Sequence, residues 1–265
     1  GWIPNSDIAN ALTPSATATQ LAMFAYGDSG DASANTNVKN LANNSGVIAA
    51  DVSGVGTART NLAAATYGQD KAVFGYGETS SYLSLKNLAN NVGVIAADVS
   101  GVGTARAQLA ATGYGDLTAG TAMFAYGFTY DGSFNTFSLK NLVSNTGVIA
   151  ADVTGVGTAR IGLAAARYST DKAVFAYGST ANATHVSVSN KVAANGTIAS
   201  DTSGVGTARR SLSAARYGGD KAVFAYGGGV VSLKNLVNNS GGFASDVTGV
   251  GTARNALAAA GYSMS

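Results

Sequence analysis

No cysteine occurs among the 265 residues, so neither a disulfide framework nor a thiolate metal site can be built. That absence does not fix the compartment. A single histidine, His185, excludes a two-histidine metal centre within one chain. A serine nucleophile would need His185 as its base, and no G-x-S-x-G elbow accompanies it. Only 11% of residues are charged, against the usual quarter or so of a soluble protein. Ser, Thr, Asn and Gly must therefore cover much of the surface, which suits a protein packed among others or working outside cells. The net charge of +2 is spread along the chain, without the basic stripe that nucleic-acid binding requires. No apolar run approaches the roughly 18 residues of a membrane span. The opening Gly1-Trp2-Ile3-Pro4 lacks the layout of a secretory signal, so the expectation is a mature product or one never exported by that route. The only two prolines, Pro4 and Pro14, also lie in this opening stretch.

What is abundant is repetition. The word G-V-G-T-A-R ends at Arg59, Arg106, Arg160, Arg209 and Arg254. A second word, M/V-F-A/G-Y-G, places its tyrosine at Tyr26, Tyr76, Tyr126, Tyr177 and Tyr226. A period of about 50 residues is the mark of a propeller, a solenoid or an array. Nearly half the residues are hydrophobic, enough for a core. They come in short runs bounded by Gly, Asn, Asp and Ser, which is the pattern of strands.

One period is read as four strands: a (Leu62–Tyr67), b (Ala72–Tyr76), c (Tyr82–Leu88) and d (Gly93–Val99). The a–b and c–d links are predicted tight turns, with Gly and Asn free to take positive φ. Four short strands in such a period is the arithmetic of a propeller blade. Small residues such as Ala63–Ala65 and Ala164–Ala166 suit the crowded inner strands. The chain enters at strand b (Leu21–Tyr26) and leaves after strand a (Leu257–Tyr262), so a blade shared by both ends would close a ring and hide its edges. The expected fold is all-β, a five-bladed β-propeller over residues 20–265 preceded by an arm at 1–19. A β-solenoid, which needs no closing pair, is the rival.

Repeat lengths differ chiefly between strands b and c, in the stretches Gly27–Asn37, Gly77–Ser81, Gly127–Thr136, Gly178–Thr184 and Gly227–Gly229. In or beside these loops stand Tyr82, Phe128, Tyr130, Phe134, Phe137 and His185. Loop aromatics are the usual material of carbohydrate stacking and protein contacts, and these six are the candidate ligand-binding residues. The arm offers Trp2 and Ile3 as docking anchors onto other proteins, against a bland reading as a plain chain end. The repeated acids Asp51, Asp98, Asp152, Asp201 and Asp246 each precede an arginine by eight residues. Five such pairs could make a charged ring and an anion site, but repetition in every unit argues that each pair or its neighbour ties one unit to the next, since catalysis needs an asymmetric constellation. Asp70-Lys71, Asp171-Lys172 and Asp220-Lys221 are expected hairpin residues on the same ground. Asp28-Ser29-Gly30-Asp31 lacks EF-hand spacing, and no phosphate-binding G-x-x-x-x-G-K-S/T loop exists. No enzyme activity and no cofactor are expected.

R-x-x-L-A-A-A-x-Y-G-x-D-K-A-V-F-A-Y-G followed by N-N-S-G-V-I-A-A-D-V-S-G-V-G-T-A-R resembles the kelch repeat in the order of its parts, over roughly residues 20–262. Two features depart from it: a Gly-Gly pair follows strand b only at Gly227-Gly228, and Ile48, Ile95, Ile149, Ile198 and Phe243 replace the strand-d tryptophan. Near-identical units of the form D-K-A-V-F-A-Y-G and T-G-V-G-T-A-R also resemble tandem-repeat structural proteins of tailed bacteriophages. That resemblance implies a non-catalytic virion surface component (head decoration, fibre or tail appendage). Its expected partners are other virion proteins and host-cell glycans. The alternative is a secreted or cellular carbohydrate-binding lectin, and a glycan-active enzyme is the weakest of the three.

Overall fold

A computed structural model describes residues 22–30, 35–43, 45–116, 118–181 and 184–261. Among them the fold is all-β, without helix. The first repeat contributes β1 (Ala22–Asp28) and β2 (Asn35–Ala42). The second is a sheet of β3 (Ala63–Tyr67), β4 (Lys71–Gly75) and β5 (Lys86–Ala89). The third has β6 (Ala110–Tyr114) and β7 (Thr121–Ala125), then a hairpin of β8 (Phe128–Tyr130) and β9 (Phe134–Thr136), then β10 (Lys140–Val143). The fourth holds β11 (Ala164–Tyr168), β12 (Lys172–Ala176) and β13 (Ser189–Val192). The fifth holds β14 (Ser213–Tyr217), β15 (Lys221–Ala225) and β16 (Lys234–Val237).

Strands a, b and c of repeats two to five pair antiparallel in that order, b in the centre. Strand d is looser than expected. It touches strand c at two isolated bridges, Lys86↔Val99 and Ala89↔Ile95 in the second repeat, and does not run as a continuous fourth strand. Strand b stops at its tyrosine for a backbone reason. Tyr26, Tyr76, Tyr126, Tyr177 and Tyr226 all sit at φ between 64° and 68°, in the left-handed region. A non-glycine residue there costs on the order of 1 kcal/mol, so five such residues in register mark a turn held by its surroundings.

The expected ring does not form among the described residues. Closure would pair residues 257–262 with β1, but β1 pairs with β2 alone. Instead each repeat packs on the next in chain order, β3 on β6, β6 on β11 and β11 on β14. A ladder of backbone hydrogen bonds joins corresponding positions, from Gln108 N–H to Asn61 C=O, Gly162 to Gln108, Ser211 to Gly162 and Ala256 to Ser211, at 2.7–3.1 Å. The C-terminal stretch continues this stack, with Gly261 against the Arg216 carbonyl. The architecture is an open stack, as in repeat proteins whose units contact only their neighbours. The core accordingly divides into layers. Tyr76 meets Phe124 (5.2 Å between centroids), Tyr126 meets Phe175 (5.5 Å) and Tyr177 meets Phe224 (6.0 Å), each pair joining one repeat to the next.

Candidate functional site

The repeated charges form a clasp at every junction. Arg106 is fully buried. Its Nε donates to the Tyr126 carbonyl at 2.7 Å, its Nη2 to Asn141 Oδ1 at 2.7 Å and its Nη1 to the Thr104 carbonyl at 3.0 Å. The guanidinium also lies 4.3 Å above the Tyr76 ring of the preceding repeat, a cation–π contact. Asn141 Nδ2 then donates to Asp152 at 2.9 Å, and Thr104 donates to the same carboxylate through its amide (2.9 Å) and hydroxyl (2.7 Å). Arg59, Arg160 and Arg209 repeat the arrangement with Asn87, Asn190 and Asn235. In these four clasps Nε, Nη1 and Nη2 of the arginine each donate a hydrogen bond, as a buried cation requires.

The acid eight residues before each arginine is not its partner. The nearest carboxylate to Arg106 is Asp152, in the following repeat, at 4.0 Å. The asparagine on strand c is the arginine's direct partner, and the sequence reading missed it. Its signal was the recurrence of Asn40, Asn87, Asn141, Asn190 and Asn235, each eleven positions before the aspartate it binds. Burial pushes the Tyr76 and Tyr177 hydroxyls up to about 12, so both stay neutral in any ordinary buffer. The clasp ties each repeat to the next, with the arginine buried and its aspartate at the surface or half-buried. Lys71, Lys172 and Lys221 pair with the adjacent Asp70, Asp171 and Asp220 at the a–b turns, as hairpin residues.

What stands outside the clasps is a group of aromatics on the b–c loop side. The Phe128 ring stacks on Phe134 at 5.3 Å with planes 13° apart, and Tyr130 tilts onto Phe134 at 5.2 Å. Tyr82 of the second repeat meets the edge of Phe128 at 5.5 Å. Four of the six loop residues are therefore one cluster spanning two repeats. Phe128 is its buried root, packed on Ala107 and Ile161. Tyr130 and Phe134 are 54% and 51% exposed, so they form an apolar shelf above it. The shelf is carried by the β8–β9 hairpin, through pairs Phe128↔Thr136 and Tyr130↔Phe134, and by the bridge Ala107↔Phe128. Burial, then the Glu78 carboxylate, raise the Tyr82 hydroxyl above its ordinary range. The other two residues stand apart: Phe137 is half-buried and makes no ring contact among the described residues, and His185 is exposed on a bridge to Ser179 in the fourth repeat. Trp2 and Ile3 lie outside the described residues.

Among the described residues no three His, Cys, Asp or Glu side chains gather to hold a metal. No helix there is long and apolar enough to cross a membrane. A cavity of about 200 Å³ near the a–b turns is lined by Thr66, Tyr67, Gln69, Thr118, Thr121 and Arg167. The Arg167 Nη2 donates there to the Gly115 and Thr170 carbonyls, while its Nε is buried without a hydrogen-bond partner among the described residues. No protein-family model matches this chain, and no curated protein matches it.

Proposed function

We propose that the chain is a non-catalytic structural protein of a virion surface, a head decoration, fibre or tail appendage. Its b–c loop side offers the Tyr130–Phe134 shelf to host glycans or a neighbouring subunit. The observation that carries the binding part is that shelf: two large rings half in solvent, fixed by a buried third ring. Flat, rigid, partly polar aromatics suit the apolar face of a sugar ring at little entropic cost. The virion part is supported by the likeness of the D-K-A-V-F-A-Y-G and T-G-V-G-T-A-R units to tailed-phage repeat proteins. The repeated arginines and aspartates go into the junctions and leave the loops as the varied surface, which fits a scaffold that displays.

A free lectin, secreted or cellular, would use the same shelf and is the second reading. Two measurements separate them. A glycan array with the parent and the Tyr130→Ala/Phe134→Ala double variant should show signal lost in the variant. Labelled antibody should decorate purified particles if the virion assignment holds. Glycan binding without any particle labelling would favour the lectin, and neither signal would sink both.

A further inference from the structure

Two half-buried arginines, Arg167 and Arg216, are held differently from the arginines of the four clasps. A clasp arginine donates from all three nitrogens. Arg167 and Arg216 donate through Nη2 alone, the first to the Gly115 and Thr170 carbonyls and the second to that of Gly219. Each buries its Nε without an acceptor, and neither Nη1 has a hydrogen-bond partner among the described residues. Neither guanidinium forms an ion pair there. A part-buried cation with so few partners is costly, and an unmet group of this kind marks a place for water or an ion.

The stack explains where they stand. The residue before the last tyrosine of strand a is Thr66, Gly113, Arg167 and Arg216 in repeats two to five. Packing of β3, β6, β11 and β14 in that order sets the four in a column. Gly113 contributes no side chain, and the Arg167 guanidinium lies across it: a Cβ on Gly113 would fall 3.1 Å from Nη1. The cavity at the a–b turns, about 200 Å³, is what remains between Arg167 and the second repeat, which lines it with Thr66, Tyr67 and Gln69. Thr66 and Gln69 are exposed, and the hydroxyls of Thr66 and Tyr67 have no hydrogen-bond partner among the described residues. At roughly 30 Å³ per water there is room for one small ion with a few waters, below the roughly 300–1,000 Å³ of a site for a drug-sized molecule.

The charge beside this space is positive. Burial, then the charge of Arg216, lower the Arg167 guanidinium from its ordinary range, so each arginine lies within the other's field. Asp171 and Asp116 act on Arg167 in the opposite sense. Asp171 is already paired with Lys172 at 3.1 Å, and Asp116 accepts the Thr118 amide at 3.1 Å. Neither carboxylate contacts the guanidinium.

We propose that this cavity binds a tetrahedral oxyanion, sulfate or phosphate, free or as the ester of a sugar, through Arg167 Nη1 and the Thr66 hydroxyl. A guanidinium suits such oxygens because it is planar, always charged and weakly hydrated. With Arg216 next in the column, a double charge is favoured over a single one. The site belongs to the a–b turns and does not depend on the aromatic shelf beside the b–c loops.

Isothermal titration calorimetry on the full chain tests this at constant ionic strength with sodium sulfate, which keeps its double charge at ordinary pH. The parent should show one saturable site per chain. Arg167→Leu should weaken it about tenfold or more, and Thr66→Val, which keeps the side-chain shape, should weaken it roughly several-fold. Arg210→Leu, at an exposed arginine ahead of β14, should bind like the parent. Melts recorded first identify the folded variants, and Thr66→Val, at an exposed position, decides the matter should Arg167→Leu not fold. A parent without saturable binding would overturn the proposal, as would full-strength binding by Thr66→Val or an equal loss in Arg210→Leu. A second titration with galactose 6-sulfate separates the sources. Binding of both ligands assigns the site to the sulfate group of a sugar, binding of inorganic sulfate alone assigns it to the free ion, and either result upholds the site.

Discussion

Arg106 and Tyr76 face each other at 4.3 Å across the junction of the second and third repeats. The arginine's side chain reaches the third repeat through its hydrogen bonds to the Tyr126 carbonyl and Asn141, and the second through its ring contact. One side chain thus fixes both the spacing and the rotation of two units. The tyrosine accepts a left-handed backbone, at φ 65°, to place its ring there.

Replacing Arg106 by Met would leave Asn141 Oδ1 and the Tyr126 carbonyl buried without their donor. Each unsatisfied group costs on the order of 1–3 kcal/mol, so the variant should lose about 2–4 kcal/mol after partial relaxation. Urea denaturation checks this. An unchanged midpoint would mean that the ring contact and hydrogen bonds are incidental.

Acid should loosen the junctions. Burial opposes the charge on Asp98, Asp152, Asp201 and Asp246, but hydrogen bonds from Thr and Asn, with the neighbouring arginine, outweigh it and hold these carboxyls below their ordinary range. A carboxyl whose folded pKa lies below its unfolded value stabilises the fold fully above about pH 4, the unfolded value, and loses that contribution as pH falls through the folded one. Denaturation midpoints should be flat with respect to these groups down to about pH 4 and drop below it. The drop should be shallower in Asp152→Asn, which has one titrating junction fewer. A parent profile no steeper than the variant's would contradict the clasp.

The aromatic cluster should divide by burial. Phe128→Ala removes the root of the shelf and should cost about 3 kcal/mol or more. Tyr130→Ala/Phe134→Ala, on exposed rings, should cost less than about 1 kcal/mol while abolishing glycan or particle binding. Thermal melts of both variants, read beside the binding assay, decide it.

Gly155 has no room for a methyl group, since a Cβ would fall on the Ser138 carbonyl. Gly155→Ala should therefore destabilise by about 2–3 kcal/mol or more through overpacking. Gly101 against Ser84 and Gly249 against Ser232 make the same close approach, so Gly101→Ala should behave alike. Circular-dichroism melts of the two variants test this.

Much of the fold was legible in the residues. Short apolar runs between Gly, Asn and Asp gave the strands, and hairpins such as Tyr67↔Lys71 sit where Gly68 and Asp70 placed them. Closure was not legible. A propeller and a stack share the same strands and differ only in the rotation from one unit to the next. That rotation is set by contacts such as Arg106 on Tyr76 and Lys86 on the Gly147 carbonyl, which join residues 30 to 61 positions apart. The shelf was half legible, since Tyr82, Phe128, Tyr130 and Phe134 were identified but nothing in their order showed that they stack on one another. Phe137 and His185, chosen by the same rule, stand elsewhere.

The open stack is tested most directly by comparing two distances within the same chain. The protein has no cysteine, so pairs can be introduced freely at the exposed c–d turns, Ser45→Cys with Val92→Cys, and Ser45→Cys with Ser240→Cys. Spin labels on each pair, diluted with unlabelled chain to suppress contacts between copies, give the separation by pulsed electron resonance. In an open stack the first and fifth repeats lie four junctions apart, so the Ser45–Ser240 separation should be several times that of Ser45–Val92. In a closed five-membered ring both pairs are neighbours, and equal separations would contradict the stack.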